Sequence, residues 1–381
     1  MARLTARPRL VVVGGGVLGS MHAYLAVNAG CEVVLLERED AARGASVRNF
    51  GLIWVSGRRG GDELALALRA RQLWERIAPA VPAAGFRANG SLTIAQTPEE
   101  LRVLTEVAQR PDAADRALSL LDPASLREQN PAIEGDALGA LHCALDAAVE
   151  PRRVPEAVRT AMAEDSRFRC VYGRHVVEIG DGVAVDHHGE QYEGDLVIAC
   201  VGAAHRGLKG WSGDESGLQR VRLQMFETDP APYELSTSIA DGDSLRYYPV
   251  FDVPARADLP EPSPLVALYR IQLLLQQRLD GRLTIGDTHA YDEPFEVATH
   301  EDPYQHLRAR AESILGKALP AVRRRWAGVY TQAPPDELFH LEHVDERTVV
   351  VTGAGGRGMT LSPAIAESVL TDLGVLDTVV A

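Results

Sequence analysis

The chain has 381 residues, 46% of them hydrophobic, which is enough for two domains with a sizeable core. It carries 53 acidic and 39 basic side chains, and the formal net charge of −14 argues against a nucleic-acid-binding or anionic-membrane surface. The four cysteines lack the spacing of a zinc site or redox dithiol, and no apolar stretch is long enough to span a bilayer. We therefore expect a cytoplasmic protein without a metal site or membrane insertion.

The N-terminal segment 10–37 (LVVVGGGVLGSMHAYLAVNAGCEVVLLE) is predicted to form a strand, a glycine turn, a helix and a second strand. Gly14 permits the tight turn, Gly16 lets the backbone approach a pyrophosphate, and Gly19 allows the helix to pack closely on the sheet. The helix N-terminus then points free N–H groups at the phosphates. Glu37 ends the second strand, where a carboxylate binds ribose hydroxyls and repels the 2′-phosphate of NADP. This pattern indicates a dinucleotide site for FAD or NAD.

The middle of the chain alternates short helix and strand patterns. Helices are predicted at 62–78, 98–107, 123–129, 155–164 and 304–315. Strands are predicted at 90–95, at 137–145, around Val176 and Val183, and at 196–201, which ends in Gly202 and two alanines. Residues 220–291 are rich in strand formers and are predicted to form an antiparallel sheet.

The C-terminal region repeats the order of strand, glycine loop and helix, at 348–352, 353–358 and 362–373. Two such loops at opposite ends of the chain indicate that the termini join in one nucleotide-binding domain, while the β-rich middle forms a second domain. An NAD dehydrogenase is expected to complete its nucleotide fold in one contiguous block, so the C-terminal return favours a flavoprotein.

With both loops, the chain resembles the glycine oxidase, sarcosine oxidase and D-amino-acid oxidase superfamily of FAD enzymes over nearly its whole length. The resemblance is carried by VVVGGGVLGSMHAYLA, ASVRNFGLI, GALHCALDAAVEPRRVPEAV, LVIACVGAAHRGL, VRLQMFET, LTIGDTHAY, GVYTQAPPDELFHL and VVVTGAGGRGMTLSPAIAE. The pairing of RNFGLIW with LTIGDTHAY further resembles the branch of this superfamily that is linked to organophosphonate breakdown.

The resemblance implies an α/β protein of two interleaved domains. The first is a Rossmann-like, three-layer FAD-binding domain of the glutathione-reductase type, made from residues 1–80, 146–219 and 326–381. The second is an α+β substrate domain, built on a mixed or antiparallel sheet from residues 81–145 and 220–325, that covers the flavin.

The resemblance also implies the cofactor contacts. The ADP part of FAD is held by Gly14, Gly16, Val17, Leu18, Gly19, Glu37 and Arg38, and its adenine meets the backbone of Val177. The pyrophosphate and flavin lie along Ser46, Arg48 and Asn49, and the ribityl chain and flavin edge along Gly355, Gly356, Arg357, Gly358, Met359 and Thr360. Separately, the turn of small residues that starts at Gly202 is expected to let backbone approach the cofactor. Since no cysteine lies in the segments expected to face the flavin, we expect FAD to be bound non-covalently.

The side chains expected to face the substrate are Arg246, Tyr247, Tyr248, Asp287, His289 and Arg357. Arginine suits a carboxylate or phosphonate because its planar fork donates two charge-assisted hydrogen bonds. Tyr247 and Tyr248 are predicted to alternate on a strand, so that only one of them faces the site. His289 either binds substrate or is an ordinary hydrogen-bonded histidine, and Trp54 either walls the pocket or fills the core.

In this superfamily the carbon next to an amine transfers a hydride to flavin N5, and the resulting imine hydrolyses to a carbonyl. The resemblance therefore implies an FAD-dependent amine oxidoreductase acting on a small anionic amine, with 2-aminoethylphosphonate or its N-methyl derivative as the leading substrate. Glycine, sarcosine and D-amino acids are the alternatives. A non-catalytic flavin-binding module is disfavoured by the clustered arginines and tyrosines.

Two positions depart from the pattern of monomeric sarcosine oxidases. Thr284 stands where those enzymes carry an oxygen-activating lysine, and Thr360 where they carry a carboxylate-binding lysine. The electron acceptor is therefore oxygen, or else a quinone or carrier protein. The sequence carries no signal for oligomeric state.

Overall fold

The computed structural model describes residues 8–213 and 216–377. Within these ranges the strands are β1 (Arg9–Val13), β2 (Glu32–Glu37), β3 (Leu52–Ile53), β4 (Ser91–Ala95), β5 (Leu118–Leu121), β6 (Gly139–Cys143), β7 (Ala147–Ala148), β8 (Phe168–Tyr172), β9 (Val176–Gly180), β10 (Val183–Asp186), β11 (Gln191–Glu193), β12 (Leu196–Ala199), β13 (Gln219–Pro230), β14 (Ser238–Ala240), β15 (Leu274–Gln277), β16 (Arg282–Gly286), β17 (Val322–Gln332), β18 (His340–His343) and β19 (Thr348–Thr352). The α-helices are α1 (Val17–Asn28), α2 (Asp62–Ile77), α3 (Pro98–Ala108), α4 (Pro123–Gln129), α5 (Val154–Thr160), α6 (Ser244–Tyr247), α7 (Pro264–Tyr269), α8 (Glu301–Leu315) and α9 (Gly358–Asp372). Among these described helices, none combines the length and apolar character needed to cross a bilayer.

The first sheet has six strands in the order β18-β19-β12-β1-β2-β8, and all are parallel except β18. Strand β1 is apolar on both faces because both faces of the sheet are covered. Its Leu10 and Val12 pack with helices α1 and α9, whereas Val11 and Val13 pack with the antiparallel sheet β11-β10-β9. Helices, parallel sheet and small antiparallel sheet form three layers, which confirms the predicted Rossmann-like architecture.

The second sheet has eight strands in the order β17-β13-β16-β15-β14-β4-β6-β5. It is mixed, as predicted, because β14 and β4 are parallel while the other neighbours are antiparallel. Strand β13 shows its two faces: Phe226 packs with Leu307 and Ile314 of helix α8, while Leu223 and Met225 face a cavity between the two sheets. The second sheet therefore forms the wall opposite the nucleotide-binding layers.

Strand β17 belongs to the larger sheet along its whole length, since it pairs with β13 from residue 322 to residue 332. The domain boundary predicted at residue 326 falls inside this strand. We propose that the substrate domain extends to residue 332.

Tyr247 and Tyr248 do not lie on a strand as predicted, because Ser244–Tyr247 is the short helix α6 and Tyr248 follows its end. The Asp241 carboxylate accepts hydrogen bonds from the N–H groups of Asp243 and Ser244, at 3.1 and 3.3 Å, and so holds the first turn. The sequence DGDS at its start and the proline after Tyr248 are typical of a turn rather than a strand. Strands β5, β8, β11 and β18 lack a predicted counterpart because they are short and partly exposed.

Helix α9 begins at Gly358, four residues before the predicted start. Pro363 lies inside it and has no N–H for the carbonyl of Met359. That carbonyl instead accepts hydrogen bonds from the Trp74 indole at 3.2 Å and from the Ser362 hydroxyl at 3.3 Å. The helix therefore continues through the proline, and its N-terminus reaches the cavity.

Candidate active site

A cavity of about 550 Å³ lies between the two sheets, beyond the carboxyl ends of β1, β12 and β19. Ligands of open parallel sheets bind at this edge. The cavity wall includes these predicted site residues: Gly16, Val17, Leu18, Ser46, Arg48, Asn49, Gly202, Arg246, Tyr247, Tyr248, Asp287, His289, Gly355, Gly356, Arg357, Gly358 and Met359. The fold thus brings both glycine loops and the middle of the chain to one site.

The first glycine turn is shaped by close backbone packing. Gly14 has φ of +95°, its N–H donates to the carbonyl of Leu36 at 2.8 Å, and an added Cβ would lie 2.4 Å from the carbonyl oxygen of Cys200. An added Cβ on Gly19 would lie 1.9 Å from the Gly14 carbonyl oxygen. These two glycines serve the packing of strand, turn and helix, as the pattern predicted.

Three other glycines leave open space on the cavity wall. An added Cβ on Gly16 would meet only the Ser46 hydroxyl, at 3.1 Å, and one on Gly356 only the Tyr330 hydroxyl, at 3.8 Å. Gly202 has φ of +56°, and a Cβ there would have no neighbour within 4 Å. Backbone at these points therefore approaches the cavity without side chains. This cradle, with the N-terminus of α1 opening onto it, fits the pyrophosphate and ribityl chain of FAD.

Alanine substitutions separate these two roles. Gly16→Ala is expected to keep the fold and weaken FAD binding by about 10- to 100-fold, because its methyl group enters the cradle. Gly19→Ala is expected to lower the free energy of unfolding by about 2 kcal/mol, because its methyl group strikes the Gly14 carbonyl. Fluorescence titration of the apoprotein with FAD and urea unfolding measure the two effects. Equal destabilisation by both substitutions would contradict this division.

Six predicted cofactor residues lie outside the wall of this cavity: Gly14, Gly19, Glu37, Arg38, Val177 and Thr360. The Glu37 carboxylate accepts the N–H of Gly15 at 2.8 Å, so it contacts the glycine turn from the end of β2. The Val177 carbonyl accepts the N–H of Lys209 at 2.9 Å. The Thr360 hydroxyl donates to the carbonyl of Leu52 at 3.2 Å and accepts the N–H of Trp54 at 2.9 Å. Thr360 therefore fixes a neighbouring loop.

A smaller cavity lies near Glu37 and includes Arg159 and Tyr172 in its wall. The Arg159 guanidinium donates to the carbonyl of Gly15 at 2.5 Å and lies 5.6 Å from the centre of the Tyr172 ring. Sequence reasoning missed this arginine, which supports the first glycine turn from helix α5.

Cys200 lines the main cavity next to the first glycine turn, which the sequence did not anticipate. Its sulfur lies 3.8 Å from Nδ1 of His22. Burial raises the pKa of the Cys200 thiol, so the reactive thiolate is disfavoured. Non-covalent FAD thus stays our prediction.

Arg58 is the main functional candidate that sequence reasoning missed. It is only 6% exposed, lines the cavity, and donates from Nε to the carbonyl of Trp54 at 2.8 Å. Burial lowers the pKa of Arg58, and the nearby Glu63 carboxylate opposes this shift. Glu63 lies 3.8 Å from Arg58 Nη1 and 3.6 Å from Arg357 Nη1. One carboxylate therefore stands between two guanidinium groups on the cavity wall.

The loop that carries Arg58 is held by two buried charged side chains. The Asp146 carboxylate accepts the N–H groups of Val55 and Ser56, at 2.5 and 3.0 Å, and the hydroxyls of Ser56 and Ser91, both at 2.6 Å. Arg116 donates to the carbonyls of Val55 and Ser56, both at 3.2 Å. Both the N–H groups and the carbonyls of the two residues Val55 and Ser56 are thus held by buried side chains.

Both members of the predicted tyrosine pair line the cavity, so the expectation that only one would do so is wrong. Tyr247 is the last residue of α6 and Tyr248 follows it, so the two side chains do not alternate along a strand. The Tyr247 ring stacks on His289 with centroids 4.5 Å apart, and Tyr248 lies 5.8 Å from the Trp54 ring. Burial raises the pKa of both phenols, which therefore act as neutral hydrogen-bonding groups. Trp54 packs behind Tyr248 in the core.

Arg246 also lines the cavity from α6, and its guanidinium donates to the carbonyl of Pro260. The same wall continues with Tyr291 and, from β17, Tyr330, neither of which was predicted. The sequence pattern that could have indicated them is a tyrosine on or after a strand of the second sheet, as Tyr330 is on β17 and Tyr291 is after β16.

Thr284 is fully buried and does not line the cavity; its hydroxyl accepts Nε of Arg278 at 2.8 Å. The other nitrogens of Arg278 donate to the carbonyls of Phe50 and Asn49, at 2.6 and 3.1 Å. Burial lowers the pKa of Arg278 to about 10. This buried guanidinium therefore joins β16 to the loop at residues 49–50, which is expected to run along the cofactor.

Arg278→Met is expected to lower the free energy of unfolding by about 2 kcal/mol, because two buried carbonyls lose their donors while the desolvation cost of a buried cation disappears. Urea unfolding measures this loss, and Arg282→Met, which removes a partly exposed ion pair with Asp280, serves as the matched control. A variant as stable as the control would show that Arg278 does not hold the loop.

Comparison with known proteins agrees with this geometry. The family model described as "DAO: FAD dependent oxidoreductase" matches residues 9–373. An opine oxidase subunit of Rhizobium meliloti is 24% identical over 234 residues, covering 58% of this chain and 63% of that protein, which is less than two thirds of its length.

Two solved structures share the fold. Glycine oxidase from Geobacillus kaustophilus has a TM-score of 0.78 and 20% identity, covering 98% of this chain and 96% of that one. Iminodiacetate oxidase from Chelativorans sp. BNC1 has a TM-score of 0.75 and 17% identity, covering 98% and 97%. The match to the family model spans nearly the whole chain, and the glycine cradle fits the family's cofactor. The predicted FAD enzyme is thereby confirmed, and the chain belongs to the DAO family of FAD-dependent oxidoreductases.

Proposed function

We propose that the protein oxidises a small amine that bears an anionic group. The observation that carries this proposal is the charge of the cavity wall. Among the described residues, two carboxylates, Glu63 and Asp287, line the cavity together with the arginines Arg48, Arg58, Arg59, Arg246 and Arg357. The pyrophosphate of FAD neutralises part of this positive charge, and the remainder attracts an anionic substrate.

Different side chains around the cavity bind and orient the substrate. Arg58 and Arg357, on either side of Glu63, supply charge-assisted hydrogen bonds for the anionic end of the substrate. The neutral phenols of Tyr247 and Tyr248 orient it, while apolar residues of β13 exclude water. Bound FAD supplies the two-electron oxidation of the carbon next to the amine.

Within this class we propose 2-aminoethylphosphonate or its N-methyl derivative as the substrate. A phosphonate offers three oxygens and up to two negative charges, which match several guanidinium groups better than a carboxylate does. The resemblance of RNFGLIW and LTIGDTHAY to the organophosphonate branch supports the same choice. Glycine, sarcosine and D-amino acids are the competing substrates, and the fold shared with glycine oxidase favours them.

The test is anaerobic reduction of the flavin by a panel of amines. The panel contains 2-aminoethylphosphonate, its N-methyl derivative, glycine, sarcosine, D-alanine and iminodiacetate, with ethanolamine as a control that lacks an anion. We expect an aminophosphonate to bleach the flavin at the lowest concentration and ethanolamine to leave it oxidised. Bleaching by sarcosine or glycine at lower concentration would replace the phosphonate substrate with an amino acid. A flavin that stays oxidised with every amine would refute the proposal.

We further propose that the electron acceptor is a quinone or a carrier protein. Thr284 stands where monomeric sarcosine oxidases carry an oxygen-activating lysine, and its hydroxyl is hydrogen-bonded to Arg278. The missing lysine supports a quinone or carrier protein over oxygen. The yield of peroxide in air, measured against the rate with a soluble quinone, distinguishes an oxidase from a dehydrogenase.

A further inference from the structure

We propose that Asp287 and His289 together bind the ammonium group of the substrate, and that Nε2 of His289 takes its proton before oxidation. This inference rests on the proposed function and names the part of the site that recognises the amine. The anionic end is assigned to Arg58 and Arg357, so the two ends of the substrate have separate partners.

A hydrogen bond to the backbone determines which ring nitrogen of His289 carries the proton. Its Nδ1 lies 3.1 Å from the carbonyl oxygen of Arg270, and a carbonyl only accepts hydrogen bonds, so Nδ1 carries the proton in the neutral ring. Nε2 is then a free acceptor, 3.8 Å from Oδ2 of Asp287. This distance is too long for a direct hydrogen bond, yet one nitrogen atom placed between the two acceptors reaches both. An ammonium group has the N–H donors that this gap requires.

The carboxylate of Asp287 lacks a cationic side chain of its own. It is 4% exposed, and Oδ1 accepts a hydrogen bond from the Gln272 amide at 3.3 Å. Across the described chain, no arginine or lysine nitrogen lies within 4.0 Å of it. A buried carboxylate without a cation is costly, and burial raises the pKa of Asp287 accordingly. A substrate ammonium supplies the missing positive charge.

The other ionisable side chains around Asp287 are tyrosine phenols. The groups that face Asp287 are His289 and the phenols of Tyr247, Tyr248, Tyr291 and Tyr330. Burial raises the pKa of all four phenols, so they stay neutral. For Tyr247 and Tyr248, Asp287 raises the pKa further while Arg58 lowers it. Arg58, Asp287 and the tyrosine pair line the same cavity, so both charged ends of the site are open to a short zwitterion.

The proton transfer balances within the site. One N–H bond of the substrate ammonium breaks, its proton forms a bond to Nε2 of His289, and the nitrogen keeps the electron pair. The products are a neutral amine and an imidazolium beside the Asp287 carboxylate, which stabilises it. The neutral amine is the form whose adjacent C–H bond is oxidised.

The binding test uses the holoenzyme and two pairs of compounds, each an amine with its counterpart lacking nitrogen: 2-aminoethylphosphonate with ethylphosphonate, and sarcosine with propionate. Dissociation constants come from flavin spectral changes and anaerobic stopped-flow reduction. Asp287→Asn is expected to weaken binding of the amine of the preferred pair by about 100-fold and to leave its deaminated partner unchanged. The matched control is Asp243→Asn, which alters an aspartate 3.7 Å from His306 outside the cavity wall and is expected to change neither constant.

The proton test uses the pH dependence of the limiting rate of flavin reduction. His289→Gln removes the proton acceptor, so we expect the rate to require a pH near the pKa of the free amine and to recover when the pH is raised that far. FAD content and thermal unfolding verify that each variant folds. If Asp287→Asn does not fold, the pH profile of His289→Gln alone tests the inference. Wild-type dissociation constants and pH profiles in the folded variants would overturn the inference. If no amine reduces the wild-type flavin, the proposed function fails first, so the two failures are distinguishable.

Discussion

Replacing Arg58 by methionine is expected to raise the amine concentration that half-reduces the flavin by about 100-fold, a loss of about 3 kcal/mol in binding. The guanidinium is buried at the cavity wall, where water does not screen its charge. Methionine keeps an unbranched side chain of moderate size but donates no hydrogen bond to the substrate anion. The measurement is an anaerobic titration of the holoprotein with the preferred amine from the panel.

Arg76→Met is the matched control, because Arg76 is exposed on helix α2, the same helix that begins next to the Arg58 loop. We expect its titration curve to overlay that of the wild type. If Arg58→Met binds FAD normally and is half-reduced at the wild-type amine concentration, Arg58 has no part in anion recognition.

Asp146→Ala is expected to lower the free energy of unfolding by about 4 kcal/mol. The substitution leaves the buried N–H groups of Val55 and Ser56 without an acceptor and two serine hydroxyls without a partner. The loop that carries Arg58 is expected to loosen as well, so substrate binding weakens together with stability. Urea unfolding of the apoprotein measures the first effect and the amine titration measures the second.

Asp146→Asn separates loss of shape from loss of charge. The amide oxygen still accepts the two backbone N–H groups, and both serine hydroxyls can rotate to accept from the amide nitrogen. We therefore expect a loss of only about 1 kcal/mol. Equal losses in the alanine and asparagine variants would show that the carboxylate charge, and not its role as an acceptor, holds the loop.

The sequence was most informative where a local pattern has one physical cause. Gly14 and Gly19 meet backbone atoms at distances that exclude a side chain, and β1 is apolar because layers cover both its faces. Such constraints act between neighbouring elements, so the nucleotide fold and its place at the strand ends were predictable. The two-ended arrangement of glycine loops added the preference for FAD over NAD.

The sequence was least informative where contacts join distant segments. Asp146 and Val55 are 91 residues apart, so the support of the Arg58 loop leaves no periodic signal. Arg58 itself stands in a run of glycines and arginines that resembles a solvated loop. The tyrosine pair was misplaced because strand propensity outweighed the turn residues DGDS and the following proline, although the turn decides how both rings enter the cavity.

All of these expectations require that this cavity holds FAD next to a bound amine. The decisive measurement is the visible absorption spectrum of the FAD-reconstituted protein, recorded while N-methyl-2-aminoethylphosphonate is added without oxygen. We predict flavin bands that fade as the amine is added. A protein that stays colourless after incubation with FAD, or flavin bands unchanged by this and every other amine of the panel, would contradict it.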